Sequence, residues 1–500
     1  MDSYQEVQAR LHDAWLANRL GSRTPHVLIG LPSLSLSQSM LQHYATRLPA
    51  LEHRFLLLLL VLGRIPSCEG LLVTCGHPTD GVLDYYARLA SPEDPEDVRR
   101  RLRVLVVDDG SHRGVAAKLL DRPDLMEEIR SFVAGRPALI EPWNVTEHEV
   151  DVAVALGVPL NGTAPGLWPL GFKSAGRRMF HETGVPTPLG LEHVRDLAGV
   201  AEAIRHIRRA RPRLTGVVVK HDNSAAGDGN WIVRTRDPDG HRIPLAKLRD
   251  EAFAELPDWF KRDLAEGGVV EELIAGSDFS SPSAQVEITP DGGVRLLSTH
   301  EQVLGGDTGQ VYTGCVFPAD GSYAGELAEH GRAVGEWLAR AGAVGRLAVD
   351  FVAVRRRRRW QVFALEVNLR KGGTTHPFSV LRHLAPGQYD AATGVWHAES
   401  DGLPRYYRST DNLLDESWLG LEPVRVIEAV ADAGLEFDRG RGTGVVVHML
   451  SCLAVDGRCG LTAIGRSRDE ADELFAAAEA AIDRAAASVA GRRYGTQMQR

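Results

Sequence analysis

The sequence predicts an α/β protein in three parts. Residues 1–160 read as an N-terminal parallel-sheet α/β domain, 161–385 as an α+β domain, and 386–500 as a small C-terminal α+β region packing on the second part. Three observations predict this. Short, continuously apolar runs alternate with longer helical stretches in the first third, the signature of a parallel sheet covered on both faces. From Leu214 the pattern turns to hairpins, up to about Asn368. The chain closes on two short strands and an alanine-rich helix.

In order, the candidate strands of the first part are His26–Ile29, Leu71–Thr74 and Val104–Val107, with helices over Ser37–Leu48, Ala50–Leu62, Gly81–Leu89 and Val115–Phe132. No GxGxxG follows the first strand, so the dinucleotide fingerprint is absent. Gly157–Gly162 reads as a short strand ended by a turn. Lys173 opens a helix that Gly184 ends as a C-cap glycine, and Asp196–Arg209 is a second helix. Residues 385–442, rich in Gly, Pro, Asp and Arg, read as loops. Thr443–Leu453 and Cys459–Ile464 read as strands, Asp469–Ser488 as the closing helix, and the last ten residues as frayed.

At 500 residues the chain is too long for one compact core. A net charge of −9 argues against a whole-chain nucleic-acid binder but leaves room for a local basic site. The five cysteines are odd in number and none has CxxC spacing, so neither a disulfide framework nor a zinc site is expected. The first residues carry acids and lack the apolar core of a signal peptide, so the expected location is cytoplasmic. The longest apolar run, Phe55–Leu62, falls far short of the roughly 20 residues of a membrane span, so no membrane partner is expected. That run and the alanine-rich helix are the segments that offer a homodimer surface.

Chemistry concentrates in three places. In the first, strand Val217–Lys220 runs into the small-residue loop HDNSAAGDGN, and a strand follows. Small residues let backbone N–H groups approach an anion, and the lysine adds charge. It is not a Walker A loop, and taken alone it is better explained as an ordinary flexible hairpin. The second is Val269–Ile274. Its apolar residues can form one side of an adenine slot, and Glu271, Glu272 and Asp278 can accept bonds from ribose hydroxyls. Taken alone, this segment is better explained as an exposed strand end.

The third is the strongest. Val349–Val354 and Trp360–Val367 read as two strands joined by the turn Arg355–Arg359. With the turn symmetric about residue 358, Asp350 lies opposite Glu366, at the roughly 4.5–5.5 Å of cross-strand neighbours. Glu366 and Asn368 share a face because strand side chains alternate. Three oxygen-bearing side chains then converge, a set that suits magnesium. Arg370 and Lys371 follow at once and can hold a phosphate, although a solvated basic turn competes for Lys371. The five arginines of the turn read as a solvated hairpin tip rather than a nucleic-acid site. His300, Glu301 and Gln302 precede a glycine-rich stretch and can line an acceptor pocket, although a lone histidine is more often structural.

Taken in order, these motifs resemble the ATP-grasp superfamily across roughly residues 155–380. The stretches ALEVNLRKGGTTHP, STHEQVLGGDTGQVYTGCVFP and VVVHMLSCLAVDGRCGLTAIGRSRDEA are similar to the pheganomycin-type peptide ligases of actinobacteria. The resemblance implies a ligase that activates a carboxylate as an acyl phosphate and joins it to an amine, within peptide natural-product biosynthesis. It implies ATP and Mg2+ as cofactors, with Lys173, Lys220, Ser224, Gly227, Gly229, Glu271, Glu272, Ile274 and Asp278 around the nucleotide. Asp350, Glu366 and Asn368 would hold the metal, and Arg370, Lys220 and His300 would act in catalysis. Asp278 stands where the family often has a ribose-binding glutamate. The expected partners are a small-molecule carboxylate, often on an unusual amino acid, and an amino-acid or peptide amine. A carboxylate–thiol ligase and a non-catalytic nucleotide-binding regulator are the alternatives.

Overall fold

A computed structural model describes residues 3–34, 41–42, 44–223, 229–250, 253, 256–276, 278–305 and 311–497. Ser224 and Gly227, residues 37–40 and 43 of the helix expected at Ser37–Leu48, and part of the glycine-rich stretch after Gln302 lie outside the described residues. Among the described residues no helix is long and apolar enough to cross a membrane.

Strands β1 (His26–Leu31), β2 (Cys68–Thr74), β3 (Leu102–Val106) and β4 (Ala138–Pro142) form a four-stranded sheet in the order β3-β2-β1-β4, every pair parallel. All six residues of β1 are buried, as strands covered on both faces require. The reversal of strand order falls between β1 and β4, so a crevice opens at their carboxyl ends. Gly157–Gly162 contributes only an isolated bridge, Ile140 to Leu160. The helix expected at Val115–Phe132 is two, Val115–Leu120 and Pro123–Val133, because Pro123 is favoured at a helix start and not inside one.

The second sheet holds β5 (Gly190–Leu191), β6 (Gly216–His221), β7 (Asn230–Arg234) and β8 (Gly268–Glu272), in the order β5-β8-β6-β7 and all antiparallel. The third has eleven strands: β9 (Phe279–Ser280), β10 (Pro282–Ile288), β11 (Val294–Gly305), β12 (Val311–Phe317), β13 (Gly345–Arg356), β14 (Arg359–Asn368), β15 (Gly387–Asp390), β16 (Val395–Ala398), β17 (Pro404–Leu414), β18 (Gly444–His448) and β19 (Arg458–Gly465). One face of β13 and β14, with Val349, Phe351 and Val362, packs on the helices Lys173–Thr183 and Gly321–Arg340. The opposite face carries Asp350.

Several expectations need correction. Residues 385–442 are not loops: they hold β15, β16, β17 and the helix Pro423–Asp432, and β17 joins β12 to β19. The 20-residue helix Gly321–Arg340 interrupts the hairpins. Thr443–Leu453 is a strand only to His448 and then turns into short helical segments. The closing helix runs on to Gln497. The two segments read as a dimer surface are consumed inside the chain. Phe55, Leu56, Leu58, Leu59, Leu60 and Leu62 belong to the main core, and the closing helix buries Phe475, Ala478, Ile482 and Ala486 there. Each buried leucine stabilises the fold by about 1.5–3 kcal/mol, so exposing the run for a partner would be costly.

Candidate active site

Glu366 and Asp350 are direct cross-strand partners on β14 and β13. The turn between them is tighter than a loop centred on residue 358: Arg356 faces Arg359, and Arg357 takes a left-handed φ of 61°. A bulge then adds Leu365 on β14, and the pairing beyond it brings Asp350 to Glu366. The amides of Asn368 and Gln302 each donate to Asp350, both at 2.9 Å. Lys173 Nζ lies 3.0 Å from Glu366.

The lysines converge through Asp222. Its backbone carbonyl accepts from the Lys173 N–H at 3.1 Å, and its side chain accepts from the Ser174 N–H at 2.8 Å. The helix that Lys173 opens is therefore anchored two residues beyond Lys220, at the end of β6. Glu271 completes the frame: it accepts from Lys220 Nζ at 2.7 Å and from Arg177, one turn along the Lys173 helix.

Electrostatics divides the carboxylate pair. Burial, and then the charge of Glu366, push the Asp350 carboxyl well above the usual carboxylate range. Burial works the same way on Glu366, but Lys173, Lys220 and Arg370 outweigh it and hold that carboxyl low. A divalent cation at the pair would remove the repulsion. The donors fit magnesium: two carboxylates, and the Asn368 carbonyl oxygen on the far side of the amide from the N–H2 that bonds Asp350.

On the same face lies a small apolar cluster. Val352 and Val354 share the Asp350 face of β13. They cluster with Ile274, Phe363 and Leu365, apart from the main cores. Its partly exposed members, Phe363 and Leu365, offer apolar surface next to Glu366, on which Lys173, Lys220 and Arg370 act electrostatically. Lys220→Ala is expected to weaken ATP binding by about tenfold or more, the value of one charge-assisted hydrogen bond. Calorimetry on the full chain checks this, and unchanged affinity would remove Lys220 from the site.

Other expected residues fall elsewhere. His300 is fully buried, bonded to Tyr407 and packed against Phe317 and Phe378. Burial lowers its pKa to about 3. It shares a cross-strand row with Asp350, two strands away across Ser283, but its ring is sealed under the aromatic cluster and cannot serve an acceptor pocket. Glu271 and Glu272 are not free for ribose: Glu271 is bound to Lys220 and Arg177, and Glu272 accepts from Arg211 at 3.1 Å and the Leu189 N–H at 3.0 Å. Asp278 is exposed near the hairpin tip, 3.7 Å from Arg355. Gly229 sits at the start of β7, its carbonyl bonded to the His221 N–H. Lys371 is buried against the first sheet, 2.8 Å from Glu141. Sequence reasoning missed Asp222, Arg177, Phe363 and Leu365, and gave Gln302 no role at Asp350. Only Arg177 carried a signal, four residues after Lys173 and so on the same helix face.

The chain is 33% identical over 429 residues to the L-propargylglycine–L-glutamate ligase of Streptantibioticus cattleyicolor, covering 84% of this chain and 86% of that one. The profile of the PGM1 C-terminal domain matches residues 425–477. Among solved structures, the ADP complex of N5-carboxyaminoimidazole ribonucleotide synthetase superposes with a TM-score of 0.52 at 11% identity, over 91% of this chain and 96% of that one. A biotin carboxylase–β,γ-ATP complex from Campylobacter jejuni gives 0.53 at 13% identity, over 89% of each chain. At these identities the two structures speak for the fold.

Proposed function

The chain belongs to the ATP-grasp ligases, and from that premise we propose that it joins the carboxylate of one amino acid to the amine of a second amino acid or short peptide. The reaction is ATP-dependent carboxylate–amine ligation with release of ADP and phosphate. Both substrates of the ligase from Streptantibioticus cattleyicolor are named as amino acids, which supports the substrate class. We read residues 161–385 as the part that carries ATP and magnesium, and the protein as cytoplasmic.

The observation that carries the reading is the pairing of Asp350 with Glu366 under Lys173, with Lys220 and Arg370 close enough to shift the same carboxyl. Asp350, Glu366 and Asn368 would hold the magnesium ion, which supplies charge neutralisation across the phosphates. Lys173 and Lys220 orient the phosphates, and Glu271 fixes Lys220 by holding its ammonium. Ile274, Phe363 and Leu365 hold the base. Arg370 faces the oxygens that gain charge as the γ-phosphoryl group reaches the substrate carboxylate. The acyl phosphate then takes the amine, and phosphate leaves. Catalysis is positioning and charge stabilisation, with no covalent nucleophile on the enzyme.

The test is ADP release with mixed amino acids and short peptides, with products read by mass spectrometry. The expected product is the mass of two substrates less one water, formed in step with ADP. ADP formation only with thiols would replace the amine by a thiol. No ADP formation across the panel would overturn the reading.

A further inference from the structure

A cleft of about 260 Å³ lies between the first sheet and the eleven-stranded sheet, beside the helix Thr375–Leu384. It is on the Asp350 face of the large sheet but distinct from the carboxylate pair. Its floor is the cross-strand row Arg295–Glu287–Arg346. That row lies four residues along β10 and β13 from the Ser283–Asp350 row, about 13 Å at the usual strand rise. Arg382 enters from the helix above.

The charges do not balance. Arg346 and Arg382 are half-buried, yet among the described residues neither has a hydrogen bond or a carboxylate within ion-pair distance. Of the two acids among the described residues that line the cleft, Glu141 is bound to Lys371 and Asn161, which leaves Glu287 for three guanidiniums. Burial, and then Arg346, lower the Arg382 pKa, and Glu287 offsets only part of this. The other wall is apolar, with Leu58, Val61 and Trp143. Trp15 also lines the cleft, and the Arg19 and Arg295 guanidiniums lie over its ring, 5.3 and 5.2 Å from the centroid. Guanidiniums are the side chains best matched to a carboxylate in a partly dry site.

We propose that this cleft is a second ligand site, for an organic anion bearing a carboxylate on an apolar body. Two sources share that chemistry. One is the far carboxylate of a peptide acceptor: about four extended residues span the 13 Å between the two rows. The other is a free organic acid acting as an effector. The first source rests on the ligase reading; the binding site itself does not.

The experiment is calorimetric titration of the full chain with 3-phenylpropionate and with its neutral counterpart, 3-phenylpropionamide. The carboxylate is expected to bind, and the amide to bind about tenfold or more weakly. Arg382→Gln and Arg346→Gln are each expected to weaken the carboxylate by a similar factor while ATP affinity stays at the wild-type value. Neither should lower the melting temperature, because each removes one of several like charges; Arg382→Lys should retain part of the binding. No binding of the carboxylate at millimolar concentration, equal binding of the amide, or equal binding by both Gln variants would overturn the site. Kinetics distinguishes the sources. A peptide end predicts a raised KM for peptide acceptors, but not single amino acids, in Arg382→Gln. A free effector predicts an unchanged KM and a response of turnover to 3-phenylpropionate in the wild type only.

Discussion

Glu366→Gln is expected to lower ADP formation about a thousandfold or more while leaving the fold intact. The substitution preserves size and one carbonyl oxygen, so Lys173 keeps an acceptor at the position where it now lies 3.0 Å from Glu366. What disappears is the negative charge that a divalent cation needs, on the residue that three cations already hold ionised. Asp350 alone cannot replace it, because burial favours its neutral form. Turnover by coupled ADP release and melting by circular dichroism measure the two halves of the expectation. Wild-type turnover in this variant would mean that Glu366 does not serve the metal.

Arg370→Ala is expected to cost about 10²–10³-fold in kcat, with little change in ATP affinity. Arg370 lies within electrostatic reach of both Glu366 and Asp350, and its role is to meet charge that develops during transfer. The adjacent cation cannot take over. Lys371 is turned the other way, bonded to Glu141 and to the Pro142 carbonyl at the carboxyl end of β4. Arg370→Lys should recover part of the rate, since charge without the planar fork is a poorer match to phosphate oxygens. Steady-state kinetics with varied ATP separates the effects; a raised KM with unchanged kcat would make Arg370 a binding residue only.

The carboxylate hairpin was legible because its signal is local: two apolar strands, a short polar turn and acids at matched spacing. Even so, the register was reached by a different route. A two-residue turn displaces the pairing by one, and the bulge at Leu365 restores it; neither residue type announces a bulge. The paired lysines were legible as strand and helix ends, but Asp222, which brings them together, looks like any loop aspartate. Glu271 and Glu272 were correctly placed on β8 and wrongly employed, since their cation partners come from distant parts of the chain. His300 was picked for its chemistry. Its burial depends on Tyr407 and Phe378, which lie far away in sequence. Residues 385–442 were read as loops from composition. Yet β17 alternates buried and half-buried positions from Arg405 to Ser409, a period-2 pattern that composition hides.

The central claim is carboxylate activation by phosphoryl transfer from ATP, and isotope transfer tests it most directly. A substrate whose reacting carboxylate is enriched in oxygen-18 is turned over in unlabelled water, and the released phosphate is analysed by mass spectrometry. An acyl phosphate predicts that each phosphate carries one oxygen from the carboxylate, in step with ADP and amide product. Unlabelled phosphate, or label recovered in AMP, would contradict the account.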